Sequence, residues 1–116
     1  MPRFVILTHD HPILHWDLML EAGDLLRTWR LLDLPSSASF IEAEPIGDHR
    51  TEYLDYEGPV SAGRGTVTRW DRGEYAVQLD EIDRMELQLS GRRLTGRYAL
   101  IRQPGTSRWS FQSLGE

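Results

Sequence analysis

The chain contains no cysteine and no lysine. Without cysteine there is no disulfide framework, no thiolate metal site and no thiol nucleophile. Without lysine, Schiff-base and lysyl-adenylate chemistry are excluded, and all thirteen basic residues are arginine. Bases are also outnumbered: eighteen Asp and Glu leave a formal charge of −5, which argues against holding nucleic acid by bulk electrostatics. No apolar run approaches the ~20 residues of a membrane span. MPRFVILTHD turns polar after four apolar residues, unlike a secretory leader. No membrane partner and a cytoplasmic location are therefore expected. Repeats, low-complexity tracts and linkers are missing too. What remains is ordinary globular composition, 40% hydrophobic with four Trp in 116 residues. That is enough for one core and too short for two, so a single domain over 1–116 is expected.

What is present is a concentration of histidine. Three of the four His lie in FVILTHDHPILHWDLMLE, residues 4–21, with Asp10 and Asp17 among them. Read as a strand, Leu14 to Glu21 puts His15, Asp17, Met19 and Glu21 on one face and Trp16, Leu18 and Leu20 on the other. The second set is a core face. The first opens with an imidazole and a carboxylate roughly 7 Å apart along the strand, able to reach one pocket. FVIL reads as a buried strand that ends at Thr8-His9-Asp10, and Pro12 breaks regularity in the connection. If that connection folds back, His9 joins His15 and Asp17. Two imidazoles and a carboxylate suit Mn, Fe, Co, Ni or Zn. The same spacing also fits a hydrogen-bonded core histidine beside an edge-strand aspartate, since H-x-D is far less specific than a four-ligand zinc pattern.

Further along, Ala22-Gly23-Asp24 is a turn and LLRTWRLL the returning strand of a hairpin. Residues 34–39 read as a loop, and Phe40 to Ala43 as a short strand stopped near Pro45 and Gly47. Asp48 to Gly58 reads as one or two helical turns with Asp48 as N-cap, Glu52 in the first turn and Gly58 as the stop. His49 and Tyr53 then share a face at i and i+4, either as a site pair or as a short surface helix with a packed Tyr. The remainder is β-rich: Gly65 to Trp70, a turn at Asp71-Arg72-Gly73, a return over Glu74 to Leu79, and a polar link from Asp80 to Asp83. Arg84 to Leu89, Leu94 to Arg102 and a strand around Arg108 to Gln112 follow, with Gly96 a possible bulge or close-approach site. The expected fold is all-β, a compact antiparallel barrel of about seven or eight short strands with one short helical segment.

These residues together resemble the 3′-phosphoesterase domain of bacterial ligase D, the multidomain ligase of nonhomologous end joining. Thr8-His9-Asp10 and His15-Trp16-Asp17-Leu18-Met19-Leu20-Glu21 stand where that family has K-H-D and H-Y-D-L-R-L-E. Trp29 and Pro35-Ser36 match a Trp-bearing strand and a Pro-Ser loop. Asp48 to Gly58 matches D-H-P-L-E-Y-x-D-F-E-G, Gly65 to Gly73 matches G-T-V-x-x-W-D-x-G, Leu89 to Arg102 matches L-x-G-x-x-L-x-G-R-[WY]-A-L-[IV]-R, and Trp109 the final strand. The resemblance implies a β-barrel with a manganese-type divalent ion, zinc, cobalt and nickel being alternatives. It implies removal of 3′-phosphates or 3′-ribonucleotides from DNA or RNA-primed DNA 3′ ends, with end-joining repair proteins as partners. By position, His9, His15 and Asp17 correspond to the metal ligands, His49 to the histidine on the scissile phosphate and Tyr53 to its neighbouring phenol. His11 sits where the family tolerates unrelated residues.

The departures fall on phosphate contacts. Met19 occupies the family's arginine position, leaving the substrate-binding residues unassigned, and Arg30 and Arg50 are candidates to replace it. Leu7 stands for a Gln, Ile41 falls near a basic position, the loop Pro59 to Arg64 is shortened, and the family's polar arm has no counterpart before Phe4. Three functions are therefore expected in order: a metal-dependent phosphoesterase, a weakened or inactive metal-binding barrel serving as an accessory module in DNA repair, and a metal-dependent enzyme acting on a small substrate.

Overall fold

The computed structural model describes residues 1–35 and 40–115; most of the loop expected at 34–39, including Ser36, lies outside them. The strands are β1 (Arg3–His9), β2 (His15–Ala22), β3 (Leu25–Leu31), β4 (Ile41–Arg50), β5 (Gly58–Pro59), β6 (Thr66–Glu81), β7 (Arg84–Gly91), β8 (Thr95–Arg102) and β9 (Trp109–Gly115), with a 3₁₀ turn at Thr51–Leu54. They pair in the order β1-β2-β3-β4-β9-β8-β7-β6-β5, and an additional β1–β6 pairing closes all but β5 into a ring. Every pairing is antiparallel. The all-β barrel expected from the sequence is the fold. No helix among the described residues is long and apolar enough to cross a membrane.

Period-two alternation explains where the core sits. Phe4, Ile6, Leu18, Leu20, Trp29, Leu31, Leu87, Leu89, Leu100 and Phe111 point into the ring and form its main core. Each such side chain contributes roughly 1.5–3 kcal/mol by leaving water. The alternate residues Val5, Leu7 and Met19 point out through the wall, yet they are buried as well, in a second cluster with Leu26, Leu54 and Val67. The 3₁₀ turn supplies Leu54 and Tyr53 to cover that outer patch. β1 and β2 are thus apolar on both faces.

Three expectations need correction. β4 does not stop near Pro45; it runs to Arg50, paired with β3 as far as Leu25↔Arg50. Its other edge pairs with β9 only over Ile41–Ala43, so the exposed Pro45 lies beyond that ladder, where a missing N–H is tolerated. As a result Asp48 and His49 belong to a strand, and the helical segment shrinks to Thr51–Leu54, with Arg50 rather than Asp48 at its N-cap. Nor is there a turn at Asp71-Arg72-Gly73, because β6 is one strand of 16 residues. It pairs with β1 up to Glu74 and with β7 from Gly73 onward. At the changeover a Cβ on Gly73 would lie 2.0 Å from the Ser90 carbonyl oxygen, so glycine serves close approach there, not reversal. Gly96 has a positive φ of +131° and lies beside a register irregularity between Arg97 and Tyr98, as its bulge reading anticipated.

Candidate metal centre

The odd-numbered residues of β1 and β2 that build the outer patch end in polar ones. Leu7 faces Asp17 across the β1–β2 ladder, and His9 faces His15. In the next ladder Asp17 faces Arg30 and Met19 faces Thr28. His9, His15, Asp17, Met19 and Arg30 therefore share one surface of the wall, and they line a cleft of about 390 Å³ together with His49 and Tyr53. The loop after β1 does fold back, and His11 reaches the cleft lining too.

His15 and Asp17 are buried, at 0% and 2% exposure, and His9 is partly covered. One ligand atom from each of the three lies within 4.8 Å of the others. His9 Nδ1 is 3.1 Å from Asp17 Oδ2, and His15 Nε2 is 3.1 Å from Asp17 Oδ1. The other nitrogen of each ring is committed to a carbonyl, which can only accept. His9 Nε2–H donates to Arg64 O at 2.8 Å, and His15 Nδ1–H donates to Ile13 O at 2.8 Å. Each neutral imidazole therefore aims its lone pair at the carboxylate. His15 Nε2 and Asp17 Oδ1 are buried without a hydrogen-bond partner among the described residues.

Lone pairs converging on a carboxylate repel unless a proton or a cation sits between them. The tendency to hold positive charge is visible at His15. Burial disfavours its imidazolium, but the Asp17 carboxylate beside Nε2, with the Ile13 carbonyl, outweighs burial and raises its pKa above the ordinary value. Separations near 3 Å are also those of neighbouring ligands on one ion held at about 2.0–2.2 Å. Carbonyls that fix the far side of each ring are the usual outer support of such a centre. The donor set fits a divalent ion.

The fit is held by a clamp that the sequence reading missed. Asp10 Oδ1 accepts the Thr66 N–H at 2.8 Å, and His9 holds Arg64 O, so consecutive residues of β1's end grip the segment leading into β6. Gly65 lies between with φ +79°, and a Cβ there would come within 2.3 Å of Asp10 Oδ1 and 2.6 Å of His11 Cβ. Gly65→Ala is expected to lower stability by about 1–3 kcal/mol and to weaken divalent-ion binding by disturbing the carbonyl that holds His9. Thermal melts with and without manganese check both effects; an equal fall in the two melts would leave the clamp without a role at the centre.

His49 and Tyr53 reach the same cleft by a route other than the expected helix. His49 stands on β4 opposite Leu26, Tyr53 on the 3₁₀ turn, and their rings meet edge to face at 5.7 Å and 76°. His49 Nδ1–H donates to Gly47 O at 2.8 Å, which leaves Nε2 as its acceptor nitrogen. Met19 is 1% exposed among the apolar residues of the cleft floor and offers no donor. Leu7 lies in the same cluster, and Ile41 in the main core. Arg50 points to Glu52 at 3.8 Å on the surface and does not line the cleft; Arg30 does.

An antiparallel barrel that carries a two-histidine, one-carboxylate centre on the outside of its wall defines the class. The chain belongs to the DNA ligase D 3′-phosphoesterase domain family, whose model matches residues 7–102. It is 32% identical over 110 residues to the multifunctional non-homologous end joining protein LigD of Pseudomonas aeruginosa, covering 86% of this chain and 13% of that protein. Against the multifunctional non-homologous end joining DNA repair protein LigD of Mycobacterium tuberculosis it is 36% identical over 115 residues, covering 91% of this chain and 15% of that protein. The LigD of Mycolicibacterium smegmatis is 32% identical over 119 residues, covering 89% and 16%. The chain thus spans about a sixth or less of the length of these relatives.

Proposed function

We propose that this chain is a divalent-metal-dependent phosphoesterase that trims 3′ ends of DNA or RNA-primed DNA, releasing 3′-phosphate or 3′-ribonucleotide. The observation that carries the reading is the convergence of His9 Nδ1, His15 Nε2 and an Asp17 oxygen, two of them orphaned and buried, in the cleft that also holds His49 and Tyr53. His9, His15 and Asp17 would hold the ion, manganese first and zinc, cobalt or nickel as alternatives. Bound there, the ion supplies Lewis acidity toward a phosphoryl oxygen.

The rest falls to the chain itself. His49 Nε2, the nitrogen not engaged with Gly47, would exchange a proton with the reacting phosphoryl group or its leaving oxygen. The Tyr53 ring, packed against the outer apolar cluster, would fix the imidazole plane by its edge-to-face contact. The apolar floor of Val67 and Met19 excludes water beneath the reacting atoms. DNA ends, end-joining proteins and a cytoplasmic setting complete the proposal.

The test is release of phosphate from a 3′-phosphorylated primer-template with and without manganese. His49→Ala should lower turnover by about 10²–10⁴-fold while leaving manganese affinity nearly intact. A wild type that binds manganese but releases nothing would favour the accessory-module reading, which Met19, with no donor to give a phosphate, also favours.

A further inference from the structure

We infer that Arg30 is the phosphate-gripping residue of this cleft, and that it directs the site toward terminal phosphomonoesters over diesters. The inference rests on the phosphoesterase reading and deepens it. Arg30 stands directly across the β2–β3 ladder from Asp17 and lines the same cleft. Its Nε is buried without a hydrogen-bond partner among the described residues. Among the described residues its guanidinium has one ion-pair neighbour, Glu44, opposite it on β4, and that contact is loose at 3.9 Å.

Arg64, the other arginine lining the cleft among the described residues, is partly engaged. Arg64 donates from Nε to Ser61 O at 2.8 Å and from Nη2 to Ser61 Oγ at 3.0 Å. Arg64 is thus tethered to its own loop at Ser61, whereas Arg30 keeps its Nε uncommitted and holds Glu44 only loosely. A guanidinium presents parallel N–H groups that pair with two oxygens of one phosphoryl group. A terminal phosphomonoester has three non-bridging oxygens, so with one directed to the ion's site two remain for the fork. A diester has two, and leaves one. Bidentate pairing with oxygens not shared with the ion is thus open to the monoester, while a diester must share one, and the monoester's second negative charge adds to the preference. Glu44 competes for the same guanidinium and weakens the grip until phosphate displaces it.

Inorganic phosphate, titrated calorimetrically into the protein with and without manganese, tests this. Arg30→Gln should weaken phosphate binding about ten- to hundredfold, Arg30→Lys should recover part of the loss, and Glu44→Gln should tighten binding severalfold. Manganese affinity, read by the spin resonance of the free ion, should hold or rise slightly in Arg30→Gln. The ratio of 3′-phosphate to 3′-ribonucleotide release should fall in the same variant. Unchanged phosphate affinity in both Arg30 variants, with melting temperatures intact, overturns the assignment. A wild type that takes up no manganese ends the metal reading instead, and the metal-free phosphate titration still decides Arg30.

Discussion

Manganese is expected to raise the melting temperature of the wild type, and Asp17→Ala to abolish that rise together with the proposed phosphoester hydrolysis. Asp17 is the hub of the centre: one oxygen faces His9 and the other faces His15, each at 3.1 Å. Removing it leaves two imidazoles whose far nitrogens are still held by Arg64 O and Ile13 O. They are oriented as before, but without the anion between them. Loss of a supporting group around a metal costs 10–100-fold in affinity, and a central ligand should exceed that. An ion at a hundred times its dissociation constant stabilises by about 2.7 kcal/mol, so the wild-type shift is large enough to see disappear. Asp17→Asn, which keeps the shape and loses the charge, should fail as well. His11→Ala is the control, since His11 lines the cleft but lies outside the three-residue cluster. A full metal response in Asp17→Ala would sink the centre as drawn.

The largest loss of stability is expected far from that site. Asp71 is 3% exposed, and its carboxylate accepts backbone N–H groups from Arg72, Arg92 and Leu94 at 2.8 Å and from Arg93 at 3.1 Å. It ties β6 to the turn between β7 and β8. Gly91 lies so close beneath that a Cβ there would come within 2.4 Å of Asp71 Oδ2. Asp71→Ala leaves those donors without their acceptor and opens space beneath the turn. At about 1–3 kcal/mol for each group left unsatisfied and partial rescue by water, the loss should be on the order of 3–5 kcal/mol. Urea unfolding should show a lower midpoint with an unchanged slope. Asp71→Asn keeps a carbonyl acceptor and should lose less. A midpoint within error of wild type would mean that water satisfies the turn unaided.

Asp71 also shows why part of the fold was not legible in the chain. Asp-Arg-Gly between β-rich runs has the composition of a turn, and only partners some twenty residues later in sequence reveal a carboxylate anchor inside a continuous strand. Pro45 misled for a similar reason: whether proline ends a strand depends on where the neighbouring strand stops, which local sequence does not encode. By contrast FVIL and HWDLMLE were readable because period two is a local property. His9, His15 and Asp17 could be grouped from it together with the family resemblance. His49 and Tyr53 were paired correctly on the wrong element, since a strand leading into a 3₁₀ turn brings their rings as close as a helix would. The carbonyls of Ile13 and Arg64 left no side-chain signal at all.

A ring of strands has a joint where it closes, and here the joint is β1 against β6. His9 occupies the last register position of that joint, opposite Val67, and its Nε2–H donates to the carbonyl of Arg64, just ahead of β6. Like β4–β9, this pairing joins partners remote along the chain, and it carries a loop-closure entropy that the hairpins do not. Half of the imidazole support at the centre is therefore made only when the circle shuts. The β2–β3 hairpin by itself carries His15 and Asp17, and only the β1–β6 seam brings the segment that holds His9. The three-residue cluster is complete only when the barrel is, so an ion held there as proposed would bridge the seam and brace it from outside.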